Sequence, residues 1–287
     1  MISSTAIPAS LPLTDSASKP RRRWRRRILW SLLVVFLTLA TMFICHLMLP
    51  RNYAGSGEHL PLDLKSGKFE VLYYYFGTKT PKGIVIIGSG DGGWSYWEEK
   101  TSKHLAAEGY AVGGWDCRKF SDSRQYDFDD LRAGFEGAVA EVRKRGSIPE
   151  NAPVWYGGWS TGAEQSVAAA ASKSRPKSLK GLLLAAPGTH GRFGITKSDL
   201  LGFDPSGPGS FALTDYSDDM KGLAVAQFSA GLDPLDDVSW LEEMDAPHKV
   251  IALSGLLHDM GNAGERFQAA MDEAMAWTLT AGTKASK

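Results

Sequence analysis

The chain has 287 residues, 43% of them hydrophobic, enough for one large globular domain or two small ones. Thirty-two Lys and Arg balance 32 Asp and Glu, but residues 1–51 hold eight of the bases and one of the acids, which leaves 24 bases against 31 acids in the remainder. A mildly acidic body excludes nucleic-acid binding through bulk charge, and two cysteines as distant in context as Cys45 and Cys117 exclude a disulfide framework.

Residues 1–27 read as a Ser/Pro/Ala/Thr-rich disordered tail that closes on the basic run RRRWRRR (21–27). Ile28–Leu49 follows without a single Lys, Arg, Asp or Glu, and Pro50 stops it. As a helix those residues span ~33 Å, about one hydrocarbon core. A signal peptide has an apolar core of ~7–15 residues before a small-residue cleavage site. This run is longer and ends in HLMLP, so residues 28–50 are expected to be a retained transmembrane anchor, with Trp24 and Trp30 at its cationic edge. Cys45 follows the bulky Ile44, which does not suit a lipoprotein site. Arginines favour the cytoplasmic side. That orientation places the amino terminus in the cytoplasm and residues 52–287 across the inner membrane, in the periplasm of a Gram-negative cell.

After an expected linker over 51–67, with Gly and Ser at 54–57, strand and helix signals alternate through 68–287. KFEVLYYYF (68–76) and IVII (84–87) read as strands, 95–108 as a helix, 110–115 as a strand and 127–144 as a helix. Val154–Tyr156 reads as a strand, 162–172 as a small-residue helix, and 182–186, 223–228 and 250–253 as three more strands before a closing helix over 262–278. Such alternation predicts an α/β fold, a mostly parallel sheet with helices on both faces. The irregular stretch 188–220 is long for a connection and reads equally as a lid or binding loop and as a surface insertion.

Gly158-Trp159-Ser160-Thr161-Gly162 fits G-x-S-x-G between a strand and a small-residue helix. This is the context of the nucleophile elbow in the α/β-hydrolase type, with Ser160 as the nucleophile. Ser89-Gly90-Asp91-Gly92-Gly93-Trp94, directly after IVII, is the expected second half of an oxyanion hole, with Gly92 or its neighbours and the Thr161 N–H as donors. That loop is not G-x-G-x-x-G and no Walker lysine follows, so a nucleotide cofactor is not expected. Nor is there an H-E-x-x-H motif or a Cys/His spacing for a metal. In this fold the acid and then the base follow the serine. His258, beyond the strand KVIALSG, is the expected base, with His190 in reserve and His248 at the wrong end of the strand. Asp233, first in the segment after LAVAQFSA, is the expected acid, with Asp236 second.

The stretch GSGDGGWSYWEEKTSKHLAAEGYAVGGWDCRKF (88–120), followed by GGWSTGAE (157–164), resembles the VirJ/AcvB family of bacterial proteins in its GDGGW loop, V-x-GWD segment and G-x-S-x-G-A elbow. The likeness covers residues ~80–190. It carries Trp159 and Thr161 where the family tends to have Tyr and Phe. AcvB-type members are periplasmic hydrolases that remove lysine from lysyl-phosphatidylglycerol. The resemblance therefore implies an esterase for a membrane-lipid substrate, an aminoacyl-phosphatidylglycerol. Asp91, Trp94 and Trp159 would be its substrate contacts, with Asp116 and Asp259 as further acids for a cationic group. Two other readings are a generic lipase or carboxylesterase, and a VirJ-like periplasmic interaction protein associated with secretion.

Overall fold

The computed structural model describes residues 20–49, 53–121 and 127–284. Of the expected disordered tail over 1–27, residues 1–19 lie outside the described residues, as does the stop at Pro50, and residues 20–27 are corrected: they are helical and open α1 (Pro20–Met48). The chain divides between His46 and Leu47 into two compact units.

In the first unit, helix α1 (Pro20–Met48) contains Trp24–Cys45, 22 residues long and apolar enough to cross a membrane. Leu29, Leu32, Val35, Phe36, Leu39 and Phe43, spread around the helix, are all exposed. Within Trp24–Cys45 the apolar side chains are thus turned outward on every side.

The second unit opens with a hairpin, β1 (Glu58–Leu64) and β2 (Gly67–Tyr74), paired antiparallel from Glu58↔Tyr73 to Leu64↔Gly67. The expected linker over 51–67 is thus corrected: its second half is a strand. Leu60 and Leu62 alternate inward to the core, while Pro61 sits between them on an edge strand, where a missing N–H does no harm.

There follow β3 (Ile84–Gly88), α2 (Tyr96–Ala107), β4 (Ala111–Trp115), α3 (Cys117–Ser121), α4 (Phe128–Gly146), β5 (Val154–Trp159), α5 (Thr161–Ala170) and β6 (Leu179–Ala185). A small hairpin, β7 (His190–Arg192) with β8 (Ser210–Ala212), precedes β9 (Ala224–Ala230), β10 (His248–Leu253) and α6 (Glu265–Lys284). Eight strands form one sheet in the order β1-β2-β4-β3-β5-β6-β9-β10. Only β2 runs against its neighbours. From β3 the chain steps out to β4 and returns on the other side as β5, which opens a crevice at the carboxyl ends of the strands.

The sheet is buried on both faces. Ile84, Ile86, Leu182 and Leu184 pack with Leu131, Phe135 and Val142 of α4 and Val167 of α5. The alternate residues Val85, Ile87, Leu183 and Ala185 pack with Trp97 and Leu105 of α2 and Phe267, Met271 and Met275 of α6. The closing helix starts at Glu265, three residues later than expected. Before it, Met260, Gly261, Asn262 and Ala263 form a left-handed turn with φ of 49, 62, 49 and 53°, a conformation that cannot continue into a right-handed helix.

The stretch 188–220 is organised around Arg192. Its guanidinium donates to Asp199 Oδ2 at 2.9 Å, Ser206 O at 2.7 Å and Pro208 O at 2.5 Å. One buried fork thus closes the loop on itself.

Candidate active site

Ser160 sits at the junction of β5 and α5 with φ 52° and ψ −121°, a strained conformation for a residue with a Cβ. Its N–H is fixed to Ala185 O at 2.8 Å. The turn is possible because its neighbours are glycines: a Cβ on Gly162 would lie 2.2 Å from Gly88 O, and one on Gly158 2.5 Å from the same atom. Tight packing on β3 therefore holds the serine above the carboxyl edge of the sheet, at the amino end of α5.

A cavity of about 550 Å³ opens there. Ser160, Thr161, Asp91 and His258 all line it. His258 Nδ1 lies 2.6 Å from Asp233 Oδ2. The Asp233 side chain is 1% exposed against 32% for His258, so a buried carboxylate backs an imidazole that faces the cavity. Asp233 Oδ1 also accepts from Leu235 N at 3.0 Å. Asp236 points elsewhere, accepting from Ala230 N at 2.6 Å and from Gln227 Nε2 at 3.0 Å. His248, at the start of β10, lies at the far end of the sheet. His190 reaches the same cavity, with its Nδ1 3.2 Å from Asp204 Oδ2.

Five expected site residues are placed differently. Gly92 is not a lining residue of the cavity. Gly93 N bonds back to Gly90 O at 3.1 Å, so Gly92 falls within a tight turn and Asp91 is the loop residue at the cavity. Trp94 is turned into the core, stacked on Tyr74 with ring centroids 6.1 Å apart. Trp159, also buried, donates from Nε1 to His258 O at 2.7 Å and packs its ring 5.3 Å from the imidazole. It holds the histidine loop and does not line the cavity. Asp116 caps Lys119 N at 3.0 Å and Asp259 caps Gly261 N at 3.0 Å, both away from the lining.

The acids that do line the cavity are Asp91, Glu164, Asp199, Asp204, Asp236 and Asp237, and among the described residues no Lys or Arg lines it. Glu164 lies one helical turn after Ser160 and is buried, its Oε1 accepting from Gly188 N at 3.1 Å. Burial, and then the charges of Asp91, Asp199 and Asp204, push its carboxyl up to about 8. Asp199 is 9% exposed, and its Oδ1 is buried with no hydrogen-bond partner. The spacing of Glu164 from Ser160 was the available sequence signal for the first of these. Nothing local marks the second.

No family model and no curated protein sequence matches the chain. Solved structures do. Est1E from Butyrivibrio proteoclasticus superposes with a TM-score of 0.56 at 14% identity, over 77% of this chain and all of that one. The esterase domain of a Rhodothermus marinus protein gives 0.56 at 15% identity, over 77% and 96%. A soluble variant of the monoglyceride lipase from Saccharomyces cerevisiae, in complex with a substrate analogue, gives 0.55 at 17% identity, over 80% and 98%. The chain has the α/β-hydrolase fold. Within that fold, Ser160 occupies the elbow after β5, Asp233 the turn after β9 and the His258 loop the end of β10.

Proposed function

We propose that this protein is a membrane-anchored serine esterase that cleaves the aminoacyl ester of an aminoacyl-phosphatidylglycerol, lysyl or alanyl. One observation carries the esterase reading: a serine strained at a strand-to-helix elbow shares a cavity with a histidine whose far nitrogen is bonded to a buried aspartate. In the mechanism, His258 takes the Ser160 proton as Oγ attacks the ester carbonyl. Asp233 holds the imidazole in place and stabilises its positive charge. The Thr161 N–H, at the positive end of α5, and the Asp91 N–H stabilise the oxyanion. His258 returns the proton to the lipid alcohol as it leaves, and the same steps with water release the amino acid.

The aminoacyl assignment is supported by the six acids of the lining, which suit an ammonium group, and by the resemblance in the GDGGW loop and the elbow. α1 supports a lipid substrate, and its basic flank supports a periplasmic body.

The test is release of amino acid from lysyl- and alanyl-phosphatidylglycerol by the full chain beside Ser160→Ala. The expected result is turnover by the wild type and at least about a thousandfold less by the variant. Turnover of short acyl esters alone would reassign the substrate to a plain carboxylester. A folded protein without turnover and without fluorophosphonate labelling of Ser160 would be an interaction protein instead.

A further inference from the structure

Outside α1, eleven large apolar side chains are exposed among the described residues; three of them line this one cavity and two more adjoin Asp233 and His258 in the chain. Leu201 and Phe203 come from the Arg192-closed loop, Leu232 and Leu235 from the turn after β9, and Leu257 from the turn after β10. Leu201, Phe203 and Leu235 also line the cavity that Ser160 lines, so each has apolar surface both in the cavity and open to solvent. Leu232 and Leu257 do not line it. They precede Asp233 and His258 in the chain and are 59% and 58% exposed, while the side chain of Asp233 is almost wholly buried. Leu232 N bonds to Leu256 O at 2.9 Å, which stitches the two turns together. Three separate loops turning leucine and phenylalanine outward around one opening is a pattern that calls for an occupant.

We propose that Leu201, Phe203, Leu232, Leu235 and Leu257 form a collar that dips into the surface of a phospholipid bilayer, so that the ester enters the cavity from the lipid. The proposal rests on the cavity around Ser160 being the ester site. A small water-soluble substrate needs no apolar ring outside its pocket. The bilayer is favoured as occupant because the same chain carries an apolar helix of membrane-spanning length, and only residues 49–55 separate it from Ser56, which is already bonded to Glu99 in the body. The acids at the cavity give anionic headgroups no electrostatic attraction, so the contact is apolar insertion.

The test uses the full chain in phosphatidylcholine–phosphatidylglycerol vesicles, in a Cys45→Ser background that leaves only the buried Cys117. A fluorophore is placed at Leu257→Cys, at Leu232→Cys and, as control, at Phe76→Cys, which is exposed beyond β2 at the opposite end of the sheet. Brominated lipids should quench the first two several-fold more than the third. Separately, Leu232→Ser combined with Leu257→Ser should slow hydrolysis of a vesicle-borne ester by at least about tenfold and leave hydrolysis of a monomeric short-chain ester unchanged. Equal quenching at all three sites overturns the collar, as does quenching that follows protein density in the vesicle instead of bromine, which would mark a second copy as the occupant. Equal slowing on both substrates overturns it too. If wild type turns over neither ester, the esterase reading fails, while quenching still decides the collar.

Discussion

Three positions separate Asp233 from Asp236, and their surroundings give them different chemistry. Asp233 faces an imidazole, and Asp236 holds the end of β9 by its backbone. Asp233→Asn should lower kcat by about 10³–10⁴-fold with little loss of stability, because it spoils the orientation and charge behind His258. Asp236→Asn turns an amide toward a backbone N–H, so it should lower stability by about 1–3 kcal/mol and kcat only modestly. Kinetics and thermal unfolding on the pair separate the two roles. Glu164 makes a prediction about pH. Its carboxyl keeps a proton in the folded protein up to about 8, whereas in the unfolded chain it ionises at its ordinary value of 4.5. Folded-state stability therefore falls as pH rises through that window and levels off above it. Thermal unfolding of Glu164→Gln should lack this decline. A bound ammonium would favour the carboxylate, so the preference for lysyl over neutral acyl esters should grow as pH approaches 8, and vanish in the same variant. Ser160, Asp233 and His258 were legible because a motif and chain order point to them. Glu164 and Asp199 were not: the one-turn spacing of Glu164 from Ser160 marks a shared face only, while its burial among the charges of Asp91, Asp199 and Asp204 is displayed by no local pattern.

At the scale of elements, the loop between β3 and α2 shows how a helix cap can reach a site. Glu98 is wholly buried; Ser95 N donates to it at 2.8 Å and Gly90 N at 3.1 Å, while the Ser95 hydroxyl caps Trp97 N. One carboxylate thus joins a capping box to the loop that presents Asp91. Burial raises its pKa, and the hydrogen bonds oppose that. Glu98→Ala should cost about 1–3 kcal/mol, read by denaturant unfolding, and should lower kcat more than it raises KM, because the Asp91 N–H loses its position. The sequence pattern placed this helix and loop within a residue or two. It misassigned Trp94 because a large aromatic beside a glycine turn carries no mark of which way it faces. β1 was missed for a related reason. The glycines and serine at 54–57 outweighed a short alternation interrupted by proline, and only its pairing with β2 makes it a strand.

For the whole molecule, two buried faces share one sheet, and β1 closes the edge on the side where α4 packs. Leu62→Ala removes a side chain that meets Gly137 of α4 and should cost about 2–5 kcal/mol in chemical unfolding. The two-sided core was readable from strand runs that are continuously apolar. The insertion 188–220 was not, because its order depends on one arginine gathering groups from distant positions. Ser56 adds a mechanical consequence. Its hydroxyl and N–H bond to Glu99, which also accepts from Tyr74 at 2.6 Å and pairs with Lys103 at 2.9 Å. Burial alone would raise the Glu99 carboxyl, but these partners outweigh it and hold it at about 2. Any tug travelling down the polypeptide from the apolar helix is therefore borne by a charged rivet on α2 before it can reach the strands, and only below about pH 2 would that rivet slacken.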